Sequence, residues 1–209
     1  MRVLGLTGSI GMGKSTAANM LRRMKLPVHD ADAAVHRLFA TGGAAVPAIE
    51  AAFPDSVVEG AVDRRRLGSA VFSDPAALRR LEAIVHPLVR AEALAFLRRH
   101  RRARRPLVVL DIPLLYETGG DRLCDAVVLV TAPAFLQEQR VLRRPGMTRE
   151  RLDAVRAQQM PDREKRRRAE FLVLTGRGKG DTFRQLRRIV RRLRPTVATC
   201  ADEGTDLDA

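Results

Sequence analysis

Gly8-Ser9-Ile10-Gly11-Met12-Gly13-Lys14-Ser15-Thr16 follows directly on the apolar run from Val3 to Thr7, and Ala17, Met20, Leu21 and Met24 then recur at helical spacing. A Gly-x4-Gly-Lys-Ser spacing set between a strand and a helix leaves the backbone few options. Glycines let successive N–H groups turn inward around an anion, and the N-terminus of the next helix adds its positive dipole end. Lys14 can neutralise the outer phosphates of a nucleoside triphosphate, and the Ser15 hydroxyl is a ligand of the type Mg²⁺ takes. The motif predicts a phosphate-binding loop running from Gly8 to Thr16.

The rest of the chain supplies a matching frame. Leu26 to His29 reads as a second short strand delivering Asp30-Ala31-Asp32 at its carboxyl end, and Ala33 to Phe39 as a helix broken by Thr41-Gly42-Gly43. From about 44 to 105 the spacing predicts helices only. Ser73-Asp74-Pro75 starts one of them, His86-Pro87 ends it, and a separate helix from Leu88 closes on a basic run at 98–102 that complements its dipole. Leu107 to Asp111 and Ala126 to Thr131 are continuous apolar runs, as parallel strands buried on both faces require. A helix from Pro133 to Arg144, a capped start at Thr148, a last strand Phe171 to Leu174 and a basic helix from Phe183 to Leu193 follow. Five short strands alternating with helices predict an α/β fold with a doubly wound five-stranded parallel sheet. The expected domain spans 1–200. Its core is 1–40, 106–137 and 169–195, with a helical substrate-binding insertion at about 41–105, a helical lid at about 138–168, and an acidic disordered tail at 201–209.

Charge narrows the function less than it first suggests. The chain of 209 residues carries 38 Lys+Arg against 24 Asp+Glu, a formal +14, yet 34 of the 38 are arginine, a skew that fits the codon usage of a GC-rich genome. Aromatic residues are 4% with no Trp, too few for a base-stacking platform, so no nucleic-acid partner is expected. No apolar run approaches a membrane span, and the first strand begins almost at Met1, so neither membrane insertion nor a secretory leader is expected. Cys124 and Cys200 are far apart, which argues for a reducing, cytoplasmic setting. A monomer is the default expectation.

Outside the loop, the residues with chemical meaning are few. Asp30 and Asp32 lie where open α/β sheets bind ligands. One can cap the following helix while the other serves as base for an attacking hydroxyl. Asp111 ends an apolar strand and is either a magnesium- or water-contacting carboxylate or a turn-bonding one. His86 is a substrate contact or a junction histidine. Arg140 and Arg144, four apart on one helix face, can bring cations onto a transferring phosphoryl group. The run from Arg163 to Arg168 reads as a solvated helix face, and Tyr116 and Cys124 as packing.

Several of these segments, in this order, resemble the dephospho-coenzyme A kinase family of phosphate-loop kinases. They are Leu6 to Thr16, Asp30-Ala31-Asp32, Val62-Asp63-Arg64 with Leu67, His86-Pro87, Pro113-Leu114-Leu115-Tyr116-Glu117, Arg140 with Arg144, Gln159, and Ala169 to Val173. The resemblance runs from Met1 to about Arg194. It implies a sheet of the P-loop nucleoside-kinase type and ATP-dependent phosphorylation of the ribose 3′-hydroxyl of dephospho-CoA, with Mg²⁺. It implies Asp32 as general base, Lys14 and Arg140 as further catalytic groups, and ATP held by Gly8, Ser9, Ile10, Gly11, Met12, Gly13, Lys14, Ser15, Thr16 and Arg144. Thr7, Asp32, Arg64, His86, Pro113, Leu114 and Glu117 are implied at the dephospho-CoA site, and Ser15 at the metal. Two departures, Glu170 after Ala169 and Leu174-Thr175-Gly176, are expected near the adenine edge. A nucleoside monophosphate kinase and a nucleic-acid-associated NTPase are the alternatives on the residues alone.

Overall fold

The structure, a computed structural model, describes residues 1–194 except Ser73, so the tail expected at 201–209 lies outside the described residues. In chain order the elements are β1 (Arg2–Thr7), α1 (Lys14–Arg23), β2 (Val28–Asp30), α2 (Ala31–Phe39), α3 (Val46–Ala52), β3 (Val57–Val58), β4 (Ala61–Val62), α4 (Arg64–Val71) and α5 (Pro75–Arg102). Then come β5 (Leu107–Asp111), β6 (Ala126–Thr131), α6 (Ala134–Leu142), α7 (Arg149–Ala157), α8 (Asp162–Arg168), β7 (Phe171–Leu174) and α9 (Lys179–Leu193).

The expected five-stranded sheet forms, all parallel, in the order β2-β5-β1-β6-β7. The register pairs Leu6 with Asp111 and Asp30 with Asp111, so the carboxyl ends of the strands line up along one edge. The sheet is covered on both faces, which is why β5 and β6 could be apolar throughout. On one face Leu4, Leu6, Val109 and Val128 pack against Ala17 and Leu21 of α1 and Leu186 and Val190 of α9. On the other, Val3, Val108 and Leu110 pack against Phe96 and Leu97 of α5. The segment after α2 has its own core, in which Phe39, Ile49, Phe53, Leu67 and Val85 meet.

Three local expectations are corrected. The stretch 44–105 is not wholly helical: β3 and β4 form a two-stranded antiparallel hairpin. Its turn, Glu59-Gly60, has φ of 51° and 74°, the pair of positive angles that a tight hairpin turn requires. Strands of two residues are too short to show a period. His86-Pro87 does not end a helix, because α5 runs through it for 28 residues. Proline there removes the bond to the Ala83 carbonyl, at a typical cost of about 3 kcal/mol. The buried stripe Val85, Ala93 and Leu97 spans the break and keeps the helix continuous. Finally, β2 sits later than expected, at Val28–Asp30; the Pro27 carbonyl instead accepts from Val109 N at 2.9 Å.

Close backbone approach fixes one glycine. A Cβ on Gly8 would lie 2.6 Å from the Val130 carbonyl oxygen of β6, a backbone atom that cannot swing aside. Gly8→Ala is expected to cost about 1–3 kcal/mol, read as a several-degree fall in the thermal midpoint. A midpoint equal to that of the unsubstituted chain would show that β1 and β6 separate freely at this point.

Candidate active site

The phosphate loop leaves β1 after Thr7 and closes on itself through Met12 N–H donating to Ser9 O at 3.1 Å. Gly11 and Gly13 have φ of 75° and 94°. The first amides of α1 have no preceding carbonyl in the helix to bond, and no side chain caps them, so they remain available for an anion. Lys14 Nζ lies 2.8 Å from Asp111 Oδ1. Asp111 is only 2% exposed; burial pushes its pKa up, against the opposing pull of Lys14. The lysine is thus held under the loop by the carboxylate that ends β5, and the turn-bonding reading of Asp111 gives way to an ion pair with the loop itself.

Above the loop is a cleft of about 550 Å³. Its floor is Gly8 to Gly11 with Gly13 to Thr16, and its walls carry Asp32, Arg140, Arg144, Gln159, Thr175 and Lys179. The Met12 side chain turns away from the cleft: it is 4% exposed and its sulfur accepts from Ala132 N at 3.1 Å, which leaves only its backbone to the loop. Arg140 donates to the Thr175 hydroxyl and to its carbonyl, each at 2.9 Å, whereas Arg144 is exposed. Ile10 N–H donates to Gln159 Oε1 at 3.2 Å, and the Ile10 carbonyl accepts from Gln137 Nε2 at 2.8 Å.

A second cleft, of about 520 Å³, adjoins the first. Val35, Val85, Val89, Ala93, Ile112 and Leu123 make it mainly apolar. Its polar groups are Asp32, His29, His86, Arg90 and Thr118. His29 is buried, and that burial pushes its pKa down, so at neutral pH it presents an uncharged imidazole. Asp32 and Pro113 line both clefts.

The two aspartates at the end of β2 divide in position. Asp30 caps α2, accepting from Ala33 N at 3.1 Å, and pairs with Arg22 at 3.0 Å. Burial alone would raise its pKa, but the Ala33 amide and the Arg22 guanidinium hold it below the ordinary carboxylate value. Asp32, in the first turn of α2, is exposed on the wall shared by the clefts. Its position follows from the strand-helix junction: a cap at Asp30 sets the helix phase, and two residues on the side chain turns toward the loop.

A family model described as dephospho-CoA kinase matches residues 2–179. The chain belongs to the dephospho-CoA kinase family. Among curated relatives, the dephospho-CoA kinase of Paramagnetospirillum magneticum is 71% identical over 166 residues, covering 79% of this chain and 78% of the relative. That of Mesorhizobium japonicum is 62% identical over 178 residues, covering 85% and 89%. A crystal structure from Thermus thermophilus, 39% identical, superposes with a TM-score of 0.80 over 91% of this chain and 96% of the other. Dephospho-CoA kinase from Campylobacter jejuni shares the fold at 22% identity, with a TM-score of 0.64 over 92% and 97%.

Set against the residues that the dephospho-CoA kinase resemblance implies, the geometry brings together most and separates four. His86, Pro113 and Leu114 line the second cleft. Thr7 does not line it: the residue is fully buried, and its hydroxyl donates to the Pro113 carbonyl at 2.9 Å, holding the segment that does. Arg64 lies at the start of α4, exposed, with its guanidinium 2.7 Å from the His36 ring of α2 and outside both linings. Glu117 accepts from Met160 N at 2.8 Å and lies 2.8 Å from Lys165 Nζ, so its carboxylate is committed to the helical segment before β7. Glu170 is at the opposite edge of the sheet from the loop, accepting from Val127 N at 2.6 Å. Thr175, the other departure, does reach the first cleft.

Sequence reasoning missed Lys179 and Thr182, which line the first cleft because α9 starts a turn earlier than its apolar spacing suggests. It also missed His29 and Arg90. The rule that ligands collect at strand carboxyl ends was the available signal for His29 and Thr175.

Lys165 overturns the reading of 163–168 as a purely solvated face, since it is fully buried. Burial would raise the Glu117 pKa, but the Lys165 ammonium and the Met160 amide outweigh it and hold the group below its ordinary value. A carboxylate with a depressed folded pKa stabilises the fold above its unfolded value, and that contribution is lost as pH falls through the folded one. Glu117→Gln leaves a buried ammonium without its partner and is expected to cost about 3 kcal/mol at pH 7. The gap from the unsubstituted chain should narrow in chemical denaturation below about pH 4. A gap independent of pH would show that the pair is not ionised.

Proposed function

We propose that this chain transfers the γ-phosphoryl group of ATP to the 3′-hydroxyl of the ribose of dephospho-CoA, giving ADP and coenzyme A. The observation that carries the reading is the shared wall. One cleft has an anion cradle, the other is mainly apolar and large enough for an organic acceptor, and one exposed carboxylate, Asp32, lies on both.

The phosphates of ATP lie on the amides of the loop and of the first turn of α1, with Lys14 neutralising the outer charge. Dephospho-CoA occupies the apolar cleft with its ribose toward Asp32. A ribose hydroxyl is a weak nucleophile, and its proton must leave as its oxygen bonds to phosphorus. Asp32 accepts that proton and aligns the oxygen for in-line attack, while the bond from the γ-phosphorus to the ADP oxygen breaks. Arg140 and Arg144 stabilise the charge spread over the transferring group. Closure over both substrates excludes water, which would otherwise take the phosphoryl group. α6 is ill suited to open, because a Cβ on Gly11 would already lie 2.5 Å from Val141 Cγ2. The moving part of the proposed lid is therefore the segment beyond Leu142, latched here by Gln159 on Ile10.

The donor chemistry of the first cleft suits Mg²⁺, which takes hard oxygen ligands and keeps several waters. Ser15 is exposed at the cleft floor, and its hydroxyl with the phosphate oxygens would hold the ion. When bound, the ion supplies charge neutralisation across the β- and γ-phosphates. Among the described residues no helix is long and apolar enough to cross a membrane. We place the reaction in the cytoplasm, with ATP and dephospho-CoA as the partners; the half-buried Cys124 thiol has its pKa pushed up to about 12, chiefly by desolvation.

ADP release is expected to be stimulated by dephospho-CoA and not by AMP or single-stranded DNA; equal stimulation by AMP would contradict the acceptor assignment. Asp32→Asn should lower turnover by roughly 10²–10⁴ while calorimetry still finds both substrates bound. Asp30→Asn keeps an acceptor for the Ala33 amide and should mainly lose the partly exposed Arg22 pair, by up to about 1 kcal/mol, with turnover retained. An active Asp32→Asn beside a dead Asp30→Asn would assign the base to the other carboxylate.

A further inference from the structure

Thr175 is the residue just past β7, where the sheet edge, the phosphate loop and α6 meet. Its backbone N–H donates to Thr131 O at 2.9 Å, which continues the β6–β7 ladder and fixes its position. The residue is 8% exposed. Its hydroxyl has one proton and must distribute it among fixed partners. The Met12 carbonyl, 2.8 Å away, and the more distant Thr131 carbonyl, at 3.4 Å, can only accept, and the Arg140 guanidinium, 2.9 Å away, can only donate. The direction is therefore determined: Arg140 donates to Thr175 Oγ1, and Oγ1 donates to the loop carbonyl. A second Arg140 nitrogen donates to the Thr175 carbonyl at 2.9 Å, and the first also reaches Gly11 O at 3.4 Å.

The same side chain touches the loop on its other side. A Cβ on Gly13 would lie 3.3 Å from both Thr175 Cγ2 and Oγ1, so the methyl and hydroxyl pack against the last glycine before Lys14. One threonine thus joins the last glycine of the cradle, the loop carbonyl before it, and the arginine that overhangs the cleft. Arg144, one turn further along, is exposed on the same cleft.

We propose that Thr175 is a positioning residue that docks Arg140 onto the phosphate loop before ATP arrives, so that one cation of the site is pre-set while Arg144 closes with the lid. The proposal rests on the kinase reading above and deepens it. Two of the five guanidinium N–H donors are spent on Thr175, with a weaker contact to Gly11 O, which orients the plane and leaves the other donors for phosphate oxygens. A long side chain otherwise has to be ordered at the moment of binding, and a pre-ordered one avoids that cost.

The test is a double-mutant cycle between Thr175→Val and Arg140→Ala in the full chain. It is read in turnover with dephospho-CoA and, separately, in calorimetric affinity for a non-hydrolysable ATP analogue with no acceptor present. Valine keeps the shape and removes both hydroxyl bonds. In the unsubstituted background Thr175→Val should lower turnover by roughly 10- to 100-fold, the range for a lost hydrogen bond to a charged group, and should weaken the analogue measurably. Thr175→Ser, which keeps the hydroxyl, should stay within about threefold of the unsubstituted chain on that scale. In the Arg140→Ala background Thr175→Val should change either quantity less than about twofold, because the group it positions is gone. Should the valine variant not fold, Thr175→Ala completes the same cycle. Independent effects in the two backgrounds, or a serine variant as impaired as the valine one, would overturn the proposal. Failure of the unsubstituted chain to phosphorylate dephospho-CoA would refute the acceptor assignment instead, while the cycle in analogue affinity still decides the role of Thr175.

Discussion

The architecture depends on bare backbone where the phosphate loop is pressed from two sides. β6 approaches Gly8 through the Val130 carbonyl, and α6 approaches Gly11 through Val141 and Gln137 O, at distances that leave no room for a Cβ. These contacts hold the loop in the conformation that exposes its amides. Everything else in the site is placed relative to that cradle: Lys14 by the Asp111 carboxylate beneath it, Arg140 by Thr175 beside it, and Gln159 by the Ile10 amide above it.

Parallel pairing does the next part of the work. Because all five strands run the same way, their carboxyl ends deliver Thr7, Asp30, Asp111, Thr131 and Thr175 to one edge. None of the five is free to act as a solvated polar group. Each bonds a loop, a helix end or a cation. Asp32 differs in lying in the first turn of a helix and being exposed on both clefts. That contrast, committed polar groups at the edge and an uncommitted carboxylate between the clefts, fits a base better than a brace.

Much of this was legible in the residues. The loop announced itself by spacing, and β5 and β6 by unbroken apolar runs that only a doubly covered sheet can bury. What escaped detection did so for physical reasons. The β3–β4 hairpin is too short for periodicity to register. The continuity of α5 through Pro87 depends on tertiary burial of Val85, Ala93 and Leu97, which outweighs a local break signal. Lys165 in a run of arginines looks solvated until the chain brings Glu117 to it from 48 residues earlier in the sequence. Thr7 and Glu117 sit in segments where the family resemblance implied substrate contact, yet their polar atoms are bonded to the protein. Spacing says which segment is near the site; only the partner of each polar atom separates residues that touch substrate from those that hold the ones that do.

The central claim is that Asp32, between the clefts, takes the proton of the acceptor hydroxyl. It is tested most directly by a crystal structure with a non-hydrolysable ATP analogue and dephospho-CoA bound together. The account predicts the ribose 3′-oxygen within about 3 Å of an Asp32 carboxylate oxygen. It also predicts that oxygen in line with the γ-phosphorus, with the rest of the acceptor in the cleft walled by Val35, Val85 and Ile112. A 3′-oxygen bonded instead to Asp30 or Asp111, with Asp32 turned to solvent, would contradict it.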